Sequence, residues 1–228
     1  MDEAILVGLK AIVQTKKDIE LFNVYKGVPV LYKASAQRLH DNVLTITADA
    51  YAYEAVCLGL EKRTLILSDV LEGPISARVR SFEIASGLTH LEDFAYASGK
   101  IGERLIVRVA PKDPTEVALE DHEGQLIPAS LIDISMDGLG VYLLPPGAEQ
   151  TLKQKPTVHV VLELPTAKIN LSGAVRYIRA EPDGRHRAGI SFAQDILVRT
   201  AITNYIAHRR GEILSELQAI HQDAHRSV

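Results

Sequence analysis

Apolar residues near the N-terminus recur at the spacing of one helix face, and short alternating segments follow them. The helix is amphipathic and too polar to cross a membrane, so we expect it to dock on the protein or on a second subunit. Its apolar positions are Ile5, Leu6, Leu9, Ile12 and Val13. The strands predicted after it are 28–32, 43–47, 55–60, 64–67, 75–84 and 88–96. Several short strands at regular spacing predict a small barrel or sandwich.

A glycine-containing stretch without periodicity, 98–102, separates this half of the chain from a second run of strands. We place the domain boundary there, which gives domains 1–98 and 99–228. The strands predicted in the second half are 104–110, 115–119, 126–134, 139–144, 158–164, 169–177 and 188–192. The fold class is therefore mainly β, with two small barrels, an N-terminal helix and a C-terminal helix.

The C-terminal tail follows a helical period from Ala193 onward and contains no proline. Part of its apolar face fits either a coiled-coil seam or packing on its own barrel. Those positions are Ile206, Ile213, Leu217 and Ile220. Both terminal helices are candidate contacts of a homodimer.

Composition excludes some functions. The formal net charge is −4 and tryptophan is absent, whereas nucleic-acid binders carry a basic stripe or aromatic stacking platforms. The single cysteine, Cys57, has apolar neighbours, so we expect a buried thiol in a reducing compartment. The chain opens with Asp2 and Glu3 where a secretory signal would be basic. We therefore expect a cytoplasmic protein that binds no nucleic acid and inserts into no membrane.

Two short motifs carry candidate chemistry. Arg104 and Arg108 form an RxxxR pattern, and about 25 residues later Asp133, Ser135 and Gly138 form a DxSxxG pattern. Taken separately, each has an ordinary structural explanation. Two arginines four apart can be surface charges, and Asp and Ser can bond the backbone of a turn.

Taken together and in this order, the two motifs resemble the signature of the PilZ family. The stretch 185–192 agrees, because it looks like the last strand of that family's barrel, which ends in Gly-x-x-Phe, and a helix follows it. The resemblance covers roughly residues 100 to 210. It implies a bacterial protein with a six-stranded barrel that binds the second messenger cyclic di-GMP and controls motility, biofilm or a related output.

The resemblance assigns ligand contacts that the chemistry of the residues fits. Arginine pairs bidentately with phosphate oxygens and with guanine O6 and N7. A carboxylate complements the guanine edge that carries N1–H and the amino group. We therefore expect Arg104, Arg108, Asp133, Ser135 and Gly138 to bind cyclic di-GMP, with Gly102 and Glu103 as weaker candidates.

Glu103 departs from the family pattern, because many members carry Arg or Gln at that position. A glutamate near phosphates is unfavourable, so the number of ligand molecules bound stays open. Gly99 and Gly102 give the segment conformational freedom. Because this segment is also the domain linker, we expect the ligand to fix or rotate the first domain relative to the second and so to signal to a protein partner.

The first half is similar only in order and size to the split-barrel domain that precedes PilZ in flagellar-brake-type proteins, and this resemblance implies a split-barrel-like first domain. We expect no enzyme, since no phosphate-binding loop and no nucleophile elbow is present. His221 and His225 share a helix face without the glutamate of a zinc protease, so we expect no metal and no cofactor. The alternative function is a protein-interaction adaptor of the same fold that binds no nucleotide.

Overall fold

The computed structural model describes residues 2–48, 56–97, 107–144, 146–154, 156–165, 167–192 and 196–226, apart from the side chain of His225. The helices are α1 (Glu3–Thr15), α2 (Cys57–Glu61), α3 (Ala148–Gln154) and α4 (Ile196–Arg226). The strands of the first half are β1 (Asp18–Tyr25), β2 (Val28–His40), β3 (Val43–Ala48), β4 (Arg63–Leu67), β5 (Ile75–Glu83) and β6 (Leu88–Tyr96). Those of the second half are β7 (Glu116–Glu120), β8 (Leu126–Ser135), β9 (Gly138–Leu143), β10 (Thr157–Leu164), β11 (Ala167–Ala180) and β12 (His186–Phe192).

The strands close into two antiparallel barrels that share one topology. The first has the order β1-β2-β3-β6-β5-β4 and the second β7-β8-β9-β12-β11-β10. Along most strands buried and exposed residues alternate, as a closed sheet with a filled interior requires. The prediction of two small barrels with a helix at each end is thereby confirmed.

Helix α1 begins at an N-cap, because the Asp2 carboxylate accepts a hydrogen bond of 2.9 Å from the Ala4 amide. Its apolar face is buried within the chain: Ile5, Leu9 and Ile12 are at most 1% exposed and join the core of the first barrel. The amphipathic helix was therefore predicted correctly, and its partner is this barrel.

One predicted strand is wrong. Within the segment 55–60, residues from Cys57 onward form the short helix α2. Cys57 and Leu58 are fully buried, as the apolar run indicated, and the buried thiol is confirmed. A short apolar run does not distinguish a buried strand from a buried helix, which explains the error. The strand predicted at 104–110 is also reduced, among the described residues 107–110, to a single bridge at Val109.

Contacts divide the chain into two units, 1–105 with 212–228, and 106–211. The boundary predicted between residues 98 and 99 falls outside the described residues. Helix α4 contributes Ile202, Tyr205 and Ile206 as buried residues of the second unit, and Leu217 joins the core of the first barrel. Among the helices that the structure describes, none is long and apolar enough to cross a membrane.

A buried polar network lies inside the first barrel. The Asn23 Oδ1 atom accepts hydrogen bonds of 2.9 Å from both the Tyr32 and the Thr64 hydroxyl groups, and Asn23 Nδ2 donates to the Arg63 carbonyl at 2.7 Å. Burial raises the pKa of the Tyr32 phenol. The amide is therefore the group on which the two hydroxyls depend.

We expect Asn23→Ala to lower the free energy of unfolding by about 2–3 kcal/mol, because it removes the acceptor nearest to two buried hydroxyls and a donor to the Arg63 carbonyl. Tyr32→Phe is the matched control. It removes one donor while Asn23 keeps Thr64, so a loss of only about 1 kcal/mol is expected. Urea denaturation of both variants measures the difference, and equal losses would show that the amide is not the centre of the network.

Candidate functional site

The described residues of the two motifs meet on the outer face of the second barrel. Asp133, Ser135 and Gly138 lie where β8 turns into β9, and Ser135 pairs with Gly138 at the end of that hairpin. Arg108 lies just before the bridge residue Val109. The predicted site residues Gly102, Glu103 and Arg104 lie outside the described residues.

Backbone pairing brings the two motifs together. Val109 and Ile134 exchange two hydrogen bonds of 3.0 Å, along the part of the β8 edge that lies beyond the first residue of β7. This bridge brings Arg108 diagonally across from Asp133, a separation that a long side chain can span. Arg108 Nη1 lies 3.3 Å from Asp133 Oδ1.

A β-bulge turns the Asp133 side chain out of the core. Leu131 pairs with Val141 and Asp133 with Gly140, so that one extra residue lies between them on β8. In a regular strand Leu131 and Asp133 would share a face, because side chains two residues apart point to the same side, and the bulge interrupts this alternation. Instead Leu131 is buried and the carboxylate is 15% exposed.

A third residue, Arg187 of β12, holds the same carboxylate. Its Nη2 atom donates to Asp133 Oδ2 at 2.7 Å. The two side chains meet across β9 because Gly140 lies between them: a Cβ there would be 3.2 Å from both carboxylate oxygens and 3.3 Å from Arg187 Nη2. The motifs did not identify Arg187, since only the strand register brings it to Asp133.

Tyr177 completes a row across four strands. Asp133 pairs with Gly140, Gly140 with Gly189, and Gly189 with Tyr177. At the usual strand spacing this row of four residues is about 14 Å long. A second bulge, between Val175 and Tyr177, turns the phenol ring outward, and the side chain is 43% exposed. The ring covers Gly189, where a Cβ would be 2.2 Å from it. Sequence reasoning missed Tyr177 as well.

Ser135 and Gly138 have structural roles in this arrangement. The Ser135 hydroxyl is 2% exposed and donates to the Gly138 carbonyl at 3.0 Å, which closes the hairpin. A Cβ at Gly138 would be 2.3 Å from the Ile190 carbonyl oxygen, so only glycine lets β9 approach β12 so closely. Their contacts with a ligand stay predictions.

The face is rich in cationic groups. Besides Arg108 and Arg187, Arg176 Nε donates to the Ser191 hydroxyl at 2.6 Å, and the Arg185 guanidinium lies 3.9 Å from the centre of the Tyr142 ring. A hydrogen bond from Arg185 holds the pKa of Asp183 below its usual range. With one partly buried carboxylate among several guanidinium groups, the surface suits an anionic ligand. Among the residues that the structure describes, no cluster of three or more acidic, histidine or cysteine side chains is arranged for a metal ion.

We expect Gly138→Ala to lower the free energy of unfolding by about 3 kcal/mol, because the new Cβ would overlap the Ile190 carbonyl. Gly211→Ala is the control. Gly211 is in α4, where an added Cβ would meet no atom within 4 Å, and helix propensity predicts a gain of about 1 kcal/mol. Thermal unfolding of both variants tests this, and a Gly138 variant as stable as the wild type would mean that the strands can separate without loss.

Comparison with known proteins places the site in a family. The PilZ domain model matches residues 103–208. No curated protein matches the chain significantly.

Similar solved structures span both barrels. Bacillus subtilis MotI/DgrA, the inhibitor of motility, is 18% identical with a TM-score of 0.42 and covers 86% of this chain and 97% of its own. The K. pneumonia MrkH–c-di-GMP complex is 14% identical with a TM-score of 0.43, covering 89% and 90%. Escherichia coli YcgR in complex with c-di-GMP is 9% identical with a TM-score of 0.44, covering 95% and 93%. Because the family match contains every described residue of the site, the second barrel is a PilZ domain.

Proposed function

We propose that the outer face of the second barrel binds cyclic di-GMP and that the protein is a receptor for this messenger. The observation that carries the proposal is the contact of 3.3 Å between Arg108 of the first motif and Asp133 of the second, within the matched PilZ domain. The MrkH and YcgR structures contain c-di-GMP, which supports the same ligand here.

The chemistry of the face complements both parts of the ligand. Arg108, together with Arg104 of the same motif, would pair with phosphate oxygens or with guanine O6 and N7. The Asp133 carboxylate would accept hydrogen bonds from guanine N1–H and the amino group. The exposed Tyr177 ring offers a surface on which a base can stack.

Asp133 lies closer to Arg187 than to Arg108. The Arg108–Asp133 contact of 3.3 Å is longer than a usual charge-assisted hydrogen bond, and the Arg108 side chain is 37% exposed. Arg187 binds the other carboxylate oxygen at 2.7 Å. A phosphate can therefore recruit Arg108 while Arg187 keeps Asp133 in place for guanine, so that Arg187 acts as a positioning residue.

The output we propose is a change in the arrangement of the two domains, which makes or hides a surface for a protein partner. The RxxxR motif follows the predicted domain boundary directly in sequence, so a ligand that holds both arginines also restrains the connection. By population shift, the ligand must prefer the restrained arrangement. MotI is named as an inhibitor of motility, and motility is therefore a candidate output. We assign no reaction to this protein and expect it in the cytoplasm.

We expect cyclic di-GMP to bind with micromolar or tighter affinity in isothermal titration, and GTP to give no saturable heat. Arg108→Ala should weaken binding at least about tenfold, because hydrogen bonds to a charged group contribute about 1.5–3 kcal/mol. Added salt should weaken the wild type, since phosphate contacts are screened.

Lys168→Ala is the control. It removes one positive charge from an exposed position at the other end of β11, where Lys168 pairs with Glu163 of β10, and binding should be unchanged. A folded Arg108→Ala protein that binds like the wild type would remove the site assignment. A wild type that binds nothing would favour the nucleotide-free adaptor.

We expect small-angle X-ray scattering of the full chain to change on addition of cyclic di-GMP, because the restrained connection selects one arrangement of the domains. The Arg108→Ala protein at the same ligand concentration should show the profile of the free state. Saturable binding with an unchanged profile would separate the two parts of the proposal: the receptor would stand and the domain movement would not.

A further inference from the structure

The two barrels are equivalent strand by strand and residue by residue around one hairpin. In the first barrel β2 and β3 are joined by a two-residue turn and carry a bulge between Ala36 and Arg38. In the second barrel β8 and β9 have the same turn length and the same bulge position, which ends at Asp133. Arg38 therefore occupies in the first barrel the position that Asp133 occupies in the second.

The equivalence extends across four strands. Arg38 pairs with Thr45, Thr45 with His90, and His90 with Ser81. The corresponding row of the second barrel is Asp133, Gly140, Gly189 and Tyr177. The second bulge is shared as well, since the extra residue is Arg80 on β5 and Arg176 on β11. Bulges recur beside functional sites because they redirect side chains out of a sheet.

In the first barrel this row forms the floor of a surface groove. The groove has a volume of about 370 Å³, in the range of small-molecule sites. Its lining residues are Arg38, His40, Asp41, Val43, Thr45, Arg80, Ser81 and His90. Two guanidinium groups, two hydroxyls and two imidazoles thus face one space, with a single carboxylate.

The two arginines are available for a ligand. Among the described residues, the Arg38 side chain makes no hydrogen bond or ion pair, and Arg80 Nη1 is 3.9 Å from its nearest carboxylate, Glu92. Glu92 is held by Arg78 at 2.7 Å, and the single carboxylate of the groove, Asp41, lies 3.0 Å from His40. Glu92 therefore already has a cationic partner, and Asp41 lies beside an imidazole.

The first barrel has the cation Arg38 at the position where the second barrel has the anion Asp133, and the two sites therefore suit different ligands. Asp133 can accept hydrogen bonds from guanine, whereas Arg38 can only donate. Two separated guanidinium forks suit the oxygens of a phosphate group. The Thr45 hydroxyl also lines the groove, whereas the Ser81 hydroxyl lies 2.9 Å from His90 Nδ1. We propose that this groove is a second ligand site, independent of cyclic di-GMP, which binds a small molecule through a phosphate monoester.

The test uses the full-length Arg108→Ala protein, in which the second barrel's site is disabled, beside the wild type. Isothermal titration with AMP, inorganic phosphate and adenosine separates the sources of the phosphate. AMP should bind saturably in both backgrounds and adenosine should not. Phosphate as tight as AMP would identify the anion alone as the ligand, and a tighter AMP would show that the rest of the molecule contributes.

Variants locate the binding. Arg38→Ala and Arg80→Ala should each weaken AMP binding at least tenfold. Arg63→Ala should not, because Arg63 is an exposed arginine of the same barrel that bonds Ser76 outside the groove. Circular dichroism confirms that each exposed-residue variant is folded. No saturable binding of AMP or phosphate to the wild type, or equal binding by the Arg38 variant, would overturn the proposal. Because the readout does not involve cyclic di-GMP, this result is separate from that of the receptor hypothesis.

Discussion

One extra residue in the second strand and one in the fifth determine which side chains of each barrel reach the surface. Side chains of a regular strand alternate between core and solvent, so an inserted residue reverses the facing of all that follows. In the second barrel the bulges end at Asp133 and Tyr177. In the first they end at Arg38 and Ser81. Each pair bounds a row across four strands, and both candidate sites of the protein depend on these insertions.

The two middle positions of each row hold different residues, and the two surfaces therefore have different chemistry. Gly140 and Gly189 leave the backbone of the second barrel uncovered, so that Arg187 can reach Asp133 and the Tyr177 ring can lie on the sheet. Thr45 and His90 occupy the equivalent positions of the first barrel and add hydrogen-bonding groups. One topology therefore supports a flat face with a carboxylate and a groove lined by donors.

Two arginines of the PilZ face share one carboxylate. Asp133 is shared between an arginine at 2.7 Å and another at 3.3 Å, and the more weakly held of the two belongs to the RxxxR motif. Arg187 Nε is buried and, among the described residues, has no hydrogen-bond partner. A buried donor without a partner costs about 1–3 kcal/mol, which folded proteins tolerate chiefly where a site requires it.

Local sequence was enough to predict the class of fold and two residues of the PilZ face that lie in contact, Arg108 and Asp133. Alternating strands, the Asp41–Asn42 turn and the two terminal helices follow from periodicity and turn chemistry, and Asp41 and Asn42 both have positive φ as a tight hairpin requires. Arg108 and Asp133 were found because both lie in short motifs with a recognisable spacing. The helix α2 was missed because it has only five residues, which is too short to show a helical period.

The remaining members of both sites are brought together only by the folded barrels. Arg187 lies 54 residues from Asp133 in sequence, and Tyr177 and the four-strand row of Arg38 are likewise assembled by pairing between distant strands. Such neighbours depend on strand register and on single-residue bulges, and a shift of one residue would move each side chain to the opposite face. Local sequence carries the preference for a strand, whereas register is set by the closure and packing of the whole barrel.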